Sequence, residues 1–397
     1  MKAGRHASDT DSEPLAMMPG GEGPMKKLRV AVAGIRGIPA NFGGSETAVE
    51  EIGSRLAQSD LDVAVYCRKH NSTTAASDYR NMRRIELPSI NTFQLDTISH
   101  SILAALHLRF RDTADVVHFH GMGNGLVLPF LWGSGKRTVV TIDGPDWNRP
   151  KWGPLARLAL RLSAWCCIRW ADELIIDNYP SIDYFQENYG VKGTYIPYGA
   201  DRTQPSATST LEEFGLTPGQ YVLFVGALVP DKGPDLLLEA FKRVRTDIPL
   251  VIVGDSPFAA PFRAHVRELA RSDPRVKMLG YVRGDGYREL VANAGIYAHP
   301  LRSDGTSPAL LQAMGFGRCI VVNSIPETLS AVGDAAVNFA RDDPGDLAAQ
   351  LQTLLDDDGK VEEYRKRALE RAIQEYDWDL VADAHRDLYQ RCFDRAG

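Results

Sequence analysis

A chain of 397 residues exceeds what one ordinary core accommodates, so its length calls for two domains. Hydrophobic residues at 44% and charged residues at 24% exclude a disordered or fibrous class. The formal net charge of −6 argues against a global nucleic-acid footprint, and no apolar run reaches the roughly 18 residues of a membrane-spanning helix. The cysteines Cys67, Cys166, Cys167, Cys319 and Cys392 show neither a C-x-x-C pair nor a Cys/His metal spacing, which fits reduced thiols in a cytosol.

Residues 1–26 are polar and rich in Gly, Pro and Ser, the composition of a disordered leader. From Leu28 onward, β-branched runs alternate with helical patterns: LRVAVAGI, LDVAVYC, RRIELP, DVVHFH, TVVTID, ELIIDN and TYIPYG. Near-continuous apolar strands separated by helices predict a parallel sheet covered on both faces. The polar segment RTQPSATST reads as a linker at 202–210. The pattern then restarts with YVLFVG, PLVIVG, VKMLG, GIYAHP, RCIVVN and AAVNF. The fold class is therefore α/β, with two doubly wound Rossmann-like domains facing across a cleft. They are expected at 27–201 and 211–375, with a closing amphipathic helix within 376–397.

Five constellations carry chemistry, in chain order. GIRGIPANFGGSE follows the first strand; Gly43 and Gly44 allow close backbone approach, and Ser45 suits an N-cap. That loop either holds a phosphate on free N–H groups or is a structural strand–helix turn. VVHFHGMG ends a strand with His118 and His120 on one side of the sheet, His120 nearer the ligand-binding edge; a satisfied core histidine is the alternative. From Asp143 the chain reads DGPDWNRPKWGPLARLALRLSAWCCIRW. There Asp146, Trp147, Arg149, Lys151, Arg157 and Arg161 precede or flank Leu155, Leu158, Leu162 and Trp165 at helical spacing. Such a segment either meets an anionic bilayer or lipid pyrophosphate, or packs on the sheet with a solvated basic face. Gly226 and Lys232, just past the strand YVLFVG, place a point charge where a diphosphate would sit, unless the lysine is merely solvated. Finally, Asp304, Gly305, Thr306, Ser307 and Gln312 surround a helix start with Pro308 in its first turn, an anion cradle or simply a capped helix.

Together these motifs resemble glycosyltransferase family 4, retaining enzymes of GT-B fold, and within it a bacterial subgroup that includes polysaccharide rhamnosyltransferases. The carrying segments are GIRGIPANFGGSET, DGPDWNRPKWG and GTSPALLQAM, with EYDWDLVADAHRDLYQR resembling the family's closing helix, which crosses back to the first domain. The resemblance covers roughly residues 28–395. It implies a hexosyl- or deoxyhexosyltransferase with a nucleotide-diphosphate sugar on the second domain and an acceptor on the first. It implies front-face attack, with the leaving phosphate taking the acceptor's proton, and no metal or other cofactor. His120 matches the histidine near the transferring sugar, and Lys232 the donor-phosphate lysine. Gly43 and Gly44 match the phosphate-covering loop. Asp304 and Gln312 hold the two acid positions of the family, and Thr306 and Ser307 lie on the segment that holds sugar hydroxyls or phosphate. Two positions depart: Ala227 stands where the family has arginine, and Gln312 replaces an acid. Losing one charge-assisted phosphate contact costs about 1.5–3 kcal/mol. The expectation is a cytoplasmic enzyme acting on a glycan or lipid-linked acceptor, with peripheral contact at the inner membrane face and no nucleic-acid partner. A silent nucleotide-binding partner subunit and a natural-product enzyme with a soluble acceptor are the alternatives.

Overall fold

The computed structural model describes residues 27–40, 43–92, 95–148, 152–256, 259–303 and 305–395. The expected leader, residues 1–26, lies outside them. In the first half the β-branched runs become β1 (Arg29–Ala33), β2 (Asp62–Arg68), β3 (Asp78–Tyr79), β4 (Met82–Leu87), β5 (Val116–His120), β6 (Arg137–Ile142), β7 (Glu173–Ile176) and β8 (Thr194–Tyr195). They form an eight-stranded sheet in the order β3-β4-β2-β1-β5-β6-β7-β8. It is parallel throughout except for β3, an antiparallel edge on β4 that is too short to announce itself by alternation.

The second half supplies β9 (Val222–Val225), β10 (Leu250–Val253), β11 (Val276–Gly280), β12 (Ile296–His299), β13 (Cys319–Asn323) and β14 (Val337–Phe339). Their six-stranded sheet runs β11-β10-β9-β12-β13-β14, all parallel. Strands β5, β10, β12 and β13 are buried along their whole length, which is why they read as unbroken apolar runs. Strand order reverses between β1 and β5 and between β9 and β12. In open parallel sheets, ligands bind beyond the strand ends at such reversals.

The chain crosses between domains twice, and the crossings run side by side. The Ala200 N–H donates to the Tyr376 carbonyl at 2.7 Å, and Ala200 pairs with Asp377 in a parallel bridge. Beyond this point Asp201 pairs with Arg288, and Gln204 Nε2 donates to the Phe316 carbonyl at 2.9 Å. Residues 201–204 are thus held by the second domain, and the changeover falls ahead of the linker expected at 202–210. The helix Trp378–Asp394 returns to the first domain. There Asp379 pairs with Arg55 at 2.7 Å, and Tyr389 Oη meets His118 Nδ1 at 2.7 Å. One apolar cluster consequently runs through both halves, from Val30 and Ile52 through Tyr198 and Trp378 to Leu223 and Leu311.

One local expectation is corrected, and the orientation of one helix, left open by the sequence, is decided. The helix after the glycine loop spans Gly44–Gln58, preceded by Gly43 at the cap position, so Ser45 sits inside the first turn and caps nothing. The helix Pro154–Trp170 buries Ser163, Ala164, Cys166 and Cys167. It turns Leu155, Leu158, Leu162 and Trp165 outward rather than onto the sheet.

Candidate active site

At the β1/β5 reversal the loop after β1 meets the end of β5. Gly34 has φ +93, and a Cβ there would stand 2.6 Å from the His120 carbonyl oxygen, so only glycine lets the two loops close up. Beyond these strand ends lies a cavity of about 310 Å³. It is lined by Arg36, Gly43, Gly44, Ser45, Glu46, Arg68, His120, Asp143 and Tyr198, among others. Sequence-predicted residues from three separate stretches, Gly43 and Gly44, His120 and Asp143, are therefore brought together.

His120 is buried, its Nδ1 has no hydrogen-bond partner, and its ring lies 4.2 Å from that of His118. Burial pushes its pKa down to about 3, with the neighbouring His385 adding to the shift, so the ring is a neutral polar group on the cavity wall. His118 instead fits the core alternative: Nδ1 meets Tyr389 Oη and Nε2 meets Thr141 Oγ1, both at 2.7 Å.

Also lining the cavity, Tyr198 Oη donates to Asp143 Oδ1 at 3.2 Å. Asp177, at the end of β7, is buried; its Oδ1 accepts from Asn178 Nδ2 at 2.7 Å and its Oδ2 has no partner. Burial first, then the nearby Asp143 charge, holds the Asp177 carboxyl well above the usual carboxylate range. The same two influences, burial and Asp143, raise the Tyr198 phenol. Asp177 and Tyr198 were not singled out in the sequence, although both fall at the ends of apolar runs, the signal that marked His120.

The second domain presents the β9/β12 reversal. Lys232 ends the short turn Pro230–Lys232 and is half-buried. Gly233 follows with φ +67, and a Cβ there would stand 2.2 Å from the Pro300 carbonyl oxygen, so the lysine loop lies directly on the chain leaving β12. Gly226 closes β9 against Gly254, whose added Cβ would meet the Gly226 carbonyl oxygen at 2.0 Å. His299, at the end of β12, is buried with Nε2 unpartnered. Burial and then the Lys232 charge lower its pKa to about 3. The run GIYAHP carried that histidine in the same position relative to its strand as His120, and the sequence reading passed over it.

The two walls touch. A Cβ on Gly44 would stand 2.3 Å from Pro308 Cγ, at the start of the helix Pro308–Gly315. Thr306 Oγ1 donates to the Asp177 carbonyl oxygen at 3.3 Å. Gly305 has φ +99, and Ser307 is buried, its carbonyl accepting from Leu310 N–H at 2.9 Å. Gln312 has other partners than a ribose: its Nε2 donates to the Asp201 carbonyl at 3.1 Å, and its Oε1 accepts from the Asp201 N–H at 3.3 Å. Arg302 pairs with Asp235 at 2.9 Å, and Ala227 is exposed directly after Gly226.

The basic aromatic run divides. Trp147 is buried against Tyr184, Phe185 and Tyr189, which removes it from any membrane contact: a large apolar ring is better placed in the core than at a rim. Asp146 is half-buried, and Arg157 and Arg161 are exposed. Arg149, Lys151 and Asp304 lie outside the described residues.

Two facing Rossmann-like domains joined by paired crossings define the GT-B fold, and comparison with known proteins agrees. Residues 219–357 match the family described as Glycosyl transferases group 1, and residues 27–201 match a domain of unknown function, DUF1972. Sucrose-phosphate synthase from Thermosynechococcus elongatus superimposes with a TM-score of 0.79 at 18% identity, covering 93% of this chain and 100% of that one. HepE of Anabaena in complex with UDP-glucose gives 0.75 at 17% identity, covering 92% and 100%. Alpha-maltose-1-phosphate synthase of Mycobacterium tuberculosis is 29% identical over 54% of this chain and 59% of its own length. The gpi3 subunit of phosphatidylinositol N-acetylglucosaminyltransferase from Schizosaccharomyces pombe is 29% identical over 48% of this chain and 41% of its own. The match thus spans about half the length of these two relatives. D-inositol 3-phosphate glycosyltransferase 2 of Catenulispora acidiphila is 24% identical over 91% of this chain and 95% of its own. The second domain thus matches the Glycosyl transferases group 1 family, and the solved structures share the GT-B fold; none of these relatives is named as a rhamnosyltransferase.

Proposed function

We propose that this chain transfers a sugar from a nucleoside-diphosphate sugar to a hydroxyl of a glycan or lipid-linked acceptor, with retention and without a metal. The observation that carries the reading is the contact of Gly44 with Pro308. It sets the glycine loop and the His120 cavity of one domain against the helix start of the other, so two half-sites form one reaction space. The UDP-glucose complex of HepE, a protein with this fold, supports a nucleotide-sugar donor.

In this reading Lys232 faces the diphosphate and stabilises the charge that grows on it as the bond from sugar C1 to the phosphate oxygen breaks. The acceptor oxygen bonds to C1 on the same face, and its proton passes to the leaving phosphate oxygen. Neutral His120 orients a sugar hydroxyl without adding charge. A rhamnosyl or other deoxyhexosyl donor is the finer expectation from the motif resemblance.

The test is a thermal-shift panel of nucleoside diphosphates and their sugars on the full chain, followed by turnover with the ligand that stabilises most, with and without EDTA. Stabilisation by a nucleoside diphosphate, with turnover that survives EDTA, is expected. No shift with any nucleotide would overturn the reading. The engagement of Gln312 by the Asp201 backbone, with Ala227 in place of arginine, favours a second reading, a nucleotide-binding partner subunit. Binding without turnover would select it.

A further inference from the structure

One face of the first domain is both apolar and basic. The helix Pro154–Trp170 exposes Leu155 at 81%, Leu158 at 65%, and Leu162 and Trp165 at 51% each, one stripe along its outer side. Exposed Arg157, Arg161 and Arg169 flank that stripe. The face does not end there. The helix Pro154–Trp170 and the helix Asp96–Phe110 both pack against the 3₁₀ segment Met122–Leu131. Arg109 ties the edges together by donating to the Phe130 carbonyl at 3.0 Å and the Trp132 carbonyl at 2.9 Å. Phe110 and Trp132 stand out at 73% and 76% exposure beside it. Trp132 and Trp170 line one cavity, and Trp170 contacts Trp165 edge-on with centroids 5.2 Å apart, so the patch continues from one helix to the other.

Charge selects the occupant. Residues 97–111 and 154–171 carry five exposed arginines, Arg109, Arg111, Arg157, Arg161 and Arg169, and no aspartate or glutamate, in a chain whose net charge is −6; Asp172, which borders the patch, is paired with Arg137 at 2.8 Å. A second copy docking through the same face would bring like charges together. An anionic lipid surface accepts both the apolar side chains and the bases. We infer that this face seats the first domain on an anionic bilayer through the outer sides of the two helices and Trp132. The stripe starts close in sequence to the reaction space. Leu155 lies 12 residues along the chain from Asp143, which follows strand β6 and lines the cavity. An acceptor whose head occupies the cavity would keep its lipid tail in the bilayer under the helix. The inference deepens the lipid-linked branch of the proposed function.

The experiment is co-sedimentation of the full chain with phosphatidylcholine vesicles and with vesicles containing phosphatidylglycerol, at low and high salt. It uses no donor and no acceptor, so it fails or succeeds independently of turnover. The protein is expected to pellet with the anionic vesicles at low salt and to be released by high salt. R157Q/R161Q together should lower partitioning by at least about tenfold, since each base near the surface contributes strongly. L155S/L158S/L162S should lower it as well, with an unchanged melting temperature because those side chains are already exposed. Equal partitioning of the variants and the parent chain, or no binding to anionic vesicles at low salt, overturns the inference. So does a salt-resistant dimer in light scattering that the leucine substitutions dissociate, because the face would then be a protein contact.

Discussion

In the roles proposed for them, Lys232 and His120 each have a distinguishable signature at the scale of the single residue. Lys232 lies beside Gly233 and the chain leaving β12, and no arginine accompanies it at Ala227. Lys232→Ala should weaken nucleoside-diphosphate binding by at least about tenfold, the lower end for a charge-assisted contact. Ala227→Arg should tighten it. Isothermal titration of both variants with UDP reads the two effects, and unchanged affinity in both would place the phosphates elsewhere. His120 makes no hydrogen bond through Nδ1, yet it is buried at the cavity wall. His120→Ala should lower kcat far more than it raises the donor Kd, because the remote donor contacts remain. A variant with parental kcat would return His120 to the core.

At the scale of elements, the glycine loop and the returning helix do different work. Gly44→Ala puts a methyl group 2.3 Å from Pro308 Cγ, and a proline ring cannot swing aside. The helix Pro308–Gly315 must then back away from the first domain. Since misplacements of about 1 Å between reacting groups are costly, kcat/KM should fall at least about tenfold with little change in melting temperature. Parental kinetics for this variant would show that the observed closure is not the reacting arrangement. The helix Trp378–Asp394 instead anchors the strand that carries His120. Tyr389→Phe removes the hydroxyl that partners buried His118 Nδ1, which should cost about 1–3 kcal/mol of stability in urea unfolding.

Across the whole molecule, burial of neutral histidines sets the response to acid. His100 and His385 are held near 4, His120 and His299 near 3, and His118 lies well below its ordinary value, in every case chiefly through burial. In the unfolded chain these rings take protons near pH 6.5. Between that pH and the folded values the unfolded state binds more protons, so stability is present above about pH 6.5 and is lost as pH falls. Each ring contributes up to about 1.4 kcal/mol per pH unit. Asp177 and Asp201, whose carboxyls are raised chiefly by burial, work in the opposite sense but are two groups against five rings. The urea midpoint should therefore drop markedly between pH 7.5 and pH 5; equal midpoints would mean that these rings titrate as they do in water.

The sequence by itself determined the two parallel sheets, because strands buried on both faces must be apolar along their length, and β5, β10, β12 and β13 are. It also marked the strand ends where Gly34, His120, Gly226 and Lys232 gather, because glycine and polar residues directly after an apolar run stand out. Only the tertiary structure decided what crosses between elements. The Asp143–Tyr198 contact, buried Asp177 and the Gly44–Pro308 contact join segments far apart in the chain, and no local pattern encodes their separation. The same holds for Gln312, whose partner is the Asp201 backbone rather than anything within its own helix. Helical spacing marked Leu155, Leu158, Leu162 and Trp165 as one stripe, but periodicity has no sign. Whether a stripe faces the core or the solvent depends on which side of the helix the rest of the domain occupies, here the 3₁₀ segment Met122–Leu131. Here the small residues Ser163, Ala164 and Cys167 take the buried side, since close packing against Met122 and Gly125 of the 3₁₀ segment leaves no room for larger ones.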